Sequence, residues 1–354
     1  MILYFLTRSQ NIIGHVSNTL ANGMYIHSDE KEDDIKTGSQ TLEFTLSYDK
    51  EMQERAEDCV AIGNSILIGN AAESYTVVET EQNWFGREIL VYAESSGLNL
   101  LNMQLGSYTA PTTAHTIKWY FSQFFGTTEW KIGINELTGI KLKLDFDEES
   151  GTSRLQNLVS AFGGEFGYSF EFDNTKVTAR LINIYSSRGT GNIRYLTLGK
   201  EIVDFRIKRK GTDLATAIKA TNQDGLNLSG KTYDDGDMYL SAGTLYSRSA
   251  LAEWGQDGAH IVRSYKYETS SKAKLLTEAK RQLAADKAPK VEYEAKTADG
   301  FMDLAVGDEV IIQELTGRTA YRTRVINIIR HEDADMLDVT FGDYVSLISE
   351  EAEE

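Results

Sequence analysis

Cysteine and proline are almost absent, with one Cys and two Pro in 354 residues. A lone Cys59 excludes an internal disulfide and a Cys-rich zinc site. It stands in "ERAEDCVAIGNSILIG" beside Val60 and Ile62, which predicts a buried thiol. No run approaches the 18 or so apolar residues of a membrane-spanning helix, so no insertion into a bilayer is expected. The opening "MILYFLTRSQ" carries no basic leader, so no signal peptide is expected, and folding takes place in a cytoplasm. Positive charge is also scarce. Lys and Arg number 36 against 53 Asp and Glu, a net charge of −17. Phosphate binding is carried by Lys and Arg, so this balance argues against a general nucleic-acid binder and against docking on anionic lipid.

The familiar signatures of chemistry are missing too. The five histidines, His15, His27, His115, His260 and His331, form no helical zinc pair and no HExxH. No GxSxG elbow occurs, and nothing around Cys59 matches a catalytic cysteine. His331 heads "HEDADMLD", where Glu332, Asp333, Asp335 and Asp338 cluster. That stretch lacks the glycine and the distant glutamate of a calcium loop, and a solvated hairpin turn explains it better. "TYDDGDMY", Thr232 to Tyr239, has the same standing. No catalytic, cofactor-binding or metal-binding residue is assigned, and no cofactor is expected.

What is present is mostly β pattern. "TLEFTLSYD" alternates Leu42, Phe44, Leu46 and Tyr48 with Thr41, Glu43, Thr45 and Ser47, a strong strand signal. "NSILIGN", "ESYTVVETE" and "REILVYAES" follow as short strands between turn residues. "SDEKEDDIK", residues 28–36, reads as a solvated acidic loop. Past Pro111 the pattern becomes helical. Ile117, Tyr120, Phe121 and Phe124 form a stripe that Gly126 ends, with Thr112 or Thr113 as the N-cap. A second helix has Leu155, Leu158, Val159 and Phe162 at helical spacing behind Thr152 or Ser153. Phe166, Tyr168, Phe170 and Phe172 then alternate in a strand, and "NTKVTARLINIY" is its hairpin partner through Asp173-Asn174. "RIKRK", Arg206 to Lys210, is the densest basic cluster and reads as a salt-bridging strand face. A third helix lies at about 270–287, with Leu275, Leu276, Ala279 and Leu283 apolar and Pro289 beyond its end. The closing segments, "KVEYEAKTA", "GDEVIIQEL", "RTRVINIIR" and "MLDVTFGDY", are β again.

Gly163, Gly164 and Gly167 raise the question of a phosphate loop. Such a loop needs a helix after its glycines, whose N-terminal N–H groups hold the anion. Here the helix precedes them, and the dipole at its C-terminal end has the wrong sign. The glycines read as a cap and a turn.

The order of these segments is similar to a known family. "SRLQNLVSAFGGEFGYSFEFDNTKVTAR" resembles the centre of phage tail-tip hub proteins. "LAVGDEVIIQELTGRTAYRTRVINIIRHEDADMLDVTFGDYVSLI" resembles their C-terminal barrel, and "EIVDFRIKRKGTDLATAIKATNQDGL" the strand pair between. This is the prophage endopeptidase tail family, which also forms the N-terminal part of tail-associated lysins. The resemblance implies the fold of the hub of contractile-tailed phages: α+β, mostly β, with two tube-like β-barrels joined by a smaller α/β domain. It places a first barrel at 1–105, the α/β domain at 106–195, a second barrel at 196–345 and an acidic tail at 346–354.

The resemblance further implies a homotrimer at the virion tail tip that closes the channel and opens for DNA. The implied partners are the distal tail protein ring, the tape measure protein, receptor-binding or fibre proteins, and DNA passing through without specific binding. Three copies would carry about −51, which repels a passing phosphate backbone. The chain stops at Glu354, directly after the second expected barrel, so the "endopeptidase" label finds no domain here and no enzyme activity is expected. The alternatives are a tail-associated peptidoglycan hydrolase, and a receptor- or carbohydrate-binding tail protein using exposed Trp84, Phe85 and Trp254.

Overall fold

The computed structural model describes residues 2–17, 23–38, 40–69, 73–174, 176–191, 193–222, 225–267, 271–297, 303–313, 320–331 and 336–348. The chain forms two units, Met1–Arg206 with Glu294–Glu354, and Ile207–Tyr293. The first unit opens with β1 (Ile2–Leu6), β2 (Ile12–Ser17), β3 (Met24–Asp34), β4 (Gln40–Tyr48), α1 (Gln53–Cys59), β5 (Ser65–Ile68), β6 (Ser74–Asn83) and β7 (Glu88–Glu94). It continues through α2 (Gly97–Leu101), β8 (Gln104–Leu105), α3 (Ile117–Phe125), β9 (Trp130–Asn135), β10 (Glu149–Ser150), α4 (Gly151–Ala161), β11 (Glu165–Asp173) and β12 (Lys176–Tyr185). After β13 (Ile193–Thr197), β14 (Ile202–Lys210) leads into the second unit. That unit holds β15 (Ala217–Thr221), β16 (Met238–Ser241), β17 (Thr244–Ser247), α5 (Arg248–Trp254), β18 (Val262–Lys266) and α6 (Lys272–Asp286). Finally β19 (Lys290–Thr297) returns to the first unit, which ends with β20 (Glu309–Gln313), β21 (Ala320–His331) and β22 (Met336–Ile348).

The fold is α+β and mostly β. The first unit is built on a thirteen-stranded sheet in the order β14-β19-β22-β21-β3-β4-β7-β6-β5-β1-β2, with β20 on β21 and β13 on β20. Among the described residues no closed barrel is detected in this sheet. The N-terminal and C-terminal strands join through β21 and β3, antiparallel from Asn327↔Asp34 to Arg330↔Lys31. Both are long, twelve and eleven residues, and each has a second partner on its other edge.

Alternation makes the first core. Leu42, Phe44 and Leu46 of β4 are fully buried with Leu3, Phe5, Ile66, Val77 and Val91. Each such burial stabilises by about 1.5–3 kcal/mol. Cys59 is part of the same core, and burial pushes its thiol up to about 11. A second core in this unit packs α3 and α4 on β9, β11 and β12, and buries Tyr120, Phe125, Leu155, Leu158, Phe166 and Ile182. There β11 and β12 form the expected hairpin, and β12 runs parallel to β9. The second unit orders its strands β16-β17-β15-β18 and packs α6 through Leu275, Ala279 and Leu283.

Two helix starts differ from expectation. Thr116, not Thr112 or Thr113, caps α3, and Ser150, not Thr152 or Ser153, caps α4 with its Oγ 3.2 Å from Ser153 N. Several hydroxyls precede each helix, and only the residue with extended backbone immediately before the first turn can reach an N–H inside it. The third helix starts after Ser271, whose side chain accepts from Lys274 N.

Residues 28–36 are corrected as well. Ser28 to Asp34 belong to β3 and are not a loop. The strand is viable because its two faces solve the charge problem differently. On one side Asp29 is buried, Lys31 pairs with Glu73 at 3.1 Å, and Asp33 takes a two-pronged bond from Arg188. On the other side Glu30 is exposed, and the half-buried Glu32 and Asp34 both accept from Asn327 Nδ2, at 2.5 and 3.3 Å.

The three glycines of the central stretch do three jobs. Gly163 has φ +73 and donates to Ser160 O at 2.9 Å, a left-handed helix cap. A Cβ on Gly164 would lie 2.8 Å from Tyr185 O, whereas one on Gly167 would make only ordinary contact with the Arg188 guanidinium at 3.4 Å. A different constraint holds at Gly307, where φ is +94 and a Cβ would meet Arg188 O at 2.3 Å. Gly163→Ala keeps open space around its Cβ and should cost about 1 kcal/mol. Gly307→Ala adds a backbone clash and should cost more than about 3 kcal/mol or prevent folding. Thermal melts of the two variants, compared with wild type, check the ranking.

Candidate functional site

The large sheet has one apolar and one polar face. The polar face runs across β14, β19, β22, β21, β3, β4, β7 and β6, because cross-strand partners share a side. Its two halves differ in charge. On the β14 side Asp204, Arg206, Glu294, Lys296, Asn327 and Asp338 line a shallow cavity of about 340 Å³. Charges of both signs alternate there, and Lys296 lies 3.3 Å from Asp338. His331 stands between Asp338, at 3.5 Å, and Glu30, at 3.8 Å.

The half on β3, β4, β7 and β6 is acidic. Register places Glu30 opposite Glu43, Glu43 opposite Tyr92, and Tyr92 opposite Glu79. The next row joins Glu32, Thr41 and Glu94, and Glu81 faces Leu90. Desolvation and the neighbouring carboxylates of Glu94, Glu32 and Glu43 push the Tyr92 phenol well above its usual range. Like charges directly opposite on adjacent strands destabilise a sheet. The cost falls on the directly opposed Glu30–Glu43 pair, since Tyr92 stands between Glu43 and Glu79.

A polar junction lies behind this face. Glu165 of β11 receives both terminal nitrogens of Arg324 of β21, at 2.5 and 2.7 Å, and Arg188 N at 2.6 Å. Arg188 reaches Asp33 of β3 at 2.7 and 3.1 Å. Asp308 closes the Val306-Gly307-Asp308 turn by accepting from Ala305 N, and it also accepts from Thr190 N and Oγ1. Both ion pairs are largely buried, so salt screens them little.

The acidic motifs of the sequence analysis separate. Residues 332–335 of "HEDADMLD" lie outside the described residues. In "TYDDGDMY" each carboxylate is already engaged. Asp234 takes a two-pronged bond from Arg248, which with the Gly236 N–H holds it at about 2. Asp237 accepts from Ser249 N, Ser247 Oγ and Lys287 Nζ, and the Ser249 N–H chiefly lowers it. Asp235 accepts from Tyr233 and from Met238 N. Among the described residues no group of three His, Cys, Asp or Glu is placed to hold a metal ion.

"RIKRK" sits on β14, where Arg206 pairs with Asp204 of the same strand at 3.0 Å, and Arg206, Lys208 and Arg209 are exposed. Trp84 and Phe85 are exposed, at 67% and 103%, whereas Trp254 is half-buried with its indole N–H shielded from water. Trp254 is the last residue of α5, and that position covers it. Sequence reading missed the acidic ladder, although the alternation of Glu30, Glu32 and Asp34 with Asp29, Lys31 and Asp33 was a readable strand signal.

Removing one charge from the acidic ladder should stabilise the chain. Glu43→Gln should gain about 0.5 kcal/mol in low salt, with the gain shrinking in high salt, measured by urea unfolding. In the second unit, the pH sign follows from the lowered carboxylates. Their folded values lie below an unfolded value of about 3.9, so their contribution is present above pH 4 and is lost as pH falls toward 2. Asp237→Asn should lower stability by about 1 kcal/mol at pH 7. Its deficit against wild type should narrow between pH 4 and pH 2 in thermal melts.

No family model matches the chain, and no curated protein matches it. Solved structures do. Prophage tail protein gp18 from Listeria monocytogenes EGD-e is 12% identical, with 97% of this chain and 94% of that one covered, at a TM-score of 0.57. The 43 kDa tail protein of prophage MuSo2 from Shewanella oneidensis is 10% identical over 96% and 98%, at 0.60. A tail protein from Neisseria meningitidis MC58 is 11% identical over 96% of both chains, at 0.57. At such identities the likeness is one of fold, and it extends over nearly the full length of both partners. The chain has the fold of prophage tail proteins.

Proposed function

We propose that this chain is a structural protein of a phage-type tail: a trimeric hub at the tail tip that closes the channel, attaches to the distal tail protein ring and opens for DNA. The observation that carries the reading is the full-length fold likeness to prophage tail proteins, 94–98% of each of those chains. In this reading residues 1–105 and 196–345 supply the two ring-forming blocks of each copy, and 106–195 joins them. Three copies then present six similar blocks to a sixfold ring above. The acidic half of the sheet faces the channel, where its carboxylates repel a passing phosphate backbone and prevent sticking. This orientation accounts for a row of glutamates that folding disfavours. The tape measure protein and receptor-binding or fibre proteins are the expected neighbours. The role is mechanical and involves no catalysis.

Light scattering with size-exclusion chromatography should give a mass of three copies of the 39.6 kDa chain, and negative-stain images a threefold ring. A monomer at high concentration, with no ring in tail preparations, would overturn the reading.

A further inference from the structure

The hairpin between β6 and β7 turns through "NWFGRE". Phe85 is 103% exposed and Trp84 67%, the two highest values among the large apolar side chains of the described residues. Neither side chain makes a hydrogen bond or a ring contact with another described residue. The tip is nonetheless a defined turn. Asn83 Oδ1 accepts from Gly86 N at 3.0 Å, Arg87 holds φ +54, and Arg87 O accepts from Tyr48 N at 3.1 Å. Rings held out by a fixed turn lose little freedom when a surface takes them up.

The end of the sheet that carries this hairpin has a third exposed ring. Register aligns Asn83, Glu88, Ser47 and Tyr25 across β6, β7, β4 and β3, and Tyr25 is 53% exposed. Trp and Tyr join an apolar body to one polar group, and such side chains gather at a membrane–water interface. Charge beside the tip is mostly negative. Glu81 and Glu88 flank it in β6 and β7, and Arg87 is the one cation of the turn. The two tip rings offer about 300–500 Å² between them, short of the ~800 Å² that each partner commits to a standard protein interface. A bilayer interface needs no matching surface and takes up a projecting ring of any outline.

We propose that the Trp84–Phe85 tip, with Tyr25 beside it, docks on the headgroup layer of an electrically neutral bilayer. Phe85 enters the boundary of the acyl chains. Trp84 stays at headgroup level, where its indole N–H donates to a lipid ester or phosphate oxygen. The contact is interfacial and does not span, since no helix among the described residues is long and apolar enough to cross a membrane. Anionic headgroups are the poorer surface, because they repel Glu81, Glu88 and a chain of net charge −17. One tip binds weakly and reversibly, and copies joined in one particle bind more tightly through avidity. A single chain carries all three rings, so this contact is independent of the tail reading.

Flotation of the full chain with phosphatidylcholine vesicles tests this contact. Wild type should float with the vesicles. Trp84→Ser with Phe85→Ser alters only exposed side chains, so its melting temperature should match wild type. Its vesicle-bound fraction should fall by at least about tenfold. Trp84→Phe keeps two rings and should still float. Brominated phosphatidylcholine should quench tryptophan fluorescence in wild type and not in Trp84→Phe, because Trp119, Trp130 and Trp254 are half-buried or buried. Wild type that stays behind in the unbound fraction overturns the proposal, as does a serine variant that floats as well as wild type. Flotation without quenching overturns the seating of Trp84. Stronger flotation with phosphatidylglycerol vesicles overturns the choice of a neutral surface. Self-association lost in the serine variant, with no flotation of wild type, would assign the rings to a protein contact instead.

Discussion

The fold of the larger unit depends on one polar junction, where Glu165 holds Arg324 and the Arg188 backbone, and Arg188 in turn holds Asp33. These four residues come from β11, β21, the segment after β12, and β3. No two of them are near in sequence except Glu165 and Arg188. A cluster of this kind contributes little net energy, because removing charges from water costs nearly what their pairing returns. Its effect is on specificity. The four segments meet where these groups satisfy one another, and separating them leaves a partly buried charge without its partner. The glycines around it serve the same end. Gly189 and Gly307 let two backbones cross where a Cβ would lie 2.4 Å or less from the opposite carbonyl oxygen.

The junction explains how the acidic face stays in place. Asp33 and Glu32 are neighbours on β3, and a strand sends successive side chains to opposite sides. Anchoring Asp33 to Arg188 on the inner side fixes the register that points Glu30 and Glu32 outward. The same strand pairs with β21, whose Arg324 is held by Glu165. Mutual repulsion of Glu30, Glu43 and Glu79 pushes against that register, and buried ion pairs resist a slip that would reverse every side chain at once.

Much of this was legible in the sequence where one periodicity dominated. The β4 alternation, the α3 and α4 stripes, the Gly163 cap and the β11–β12 hairpin follow from local pattern. The failures have physical causes. Residues 28–36 looked like a loop because five acids in a row of nine suggest repulsion, and the relief comes from Arg188 and from Lys31 with Glu73, distant in sequence. Arg154 of α4 went unremarked in the sequence. It is fully buried between Phe124 and Phe146, with Glu149 accepting from its Nε. The joining of both ends of the chain in one thirteen-stranded sheet was not legible either, since the β3–β21 pairing spans nearly the whole chain. The acidic face is a property of register between strands, and no single strand displays it.

The charge distribution carries the last step. A net charge of −17 spread evenly over a surface would serve solubility alone. Here the same sheet face is split: carboxylates alternate with Arg206 and Lys296 on β14 and β19, and stand without cations at the Glu30, Glu43 and Glu79 row. Solubility cannot account for the difference, because both halves would be equally soluble with mixed charges. A protein contact cannot readily account for it either, because burying unpaired carboxylates against a neighbour costs more than leaving them in water. A surface that stays wet satisfies both conditions. The acidic half is therefore the part of the sheet least suited to being covered, and the mixed half, where Arg206 reaches Asp204 and Lys296 reaches Asp338, is better suited to it.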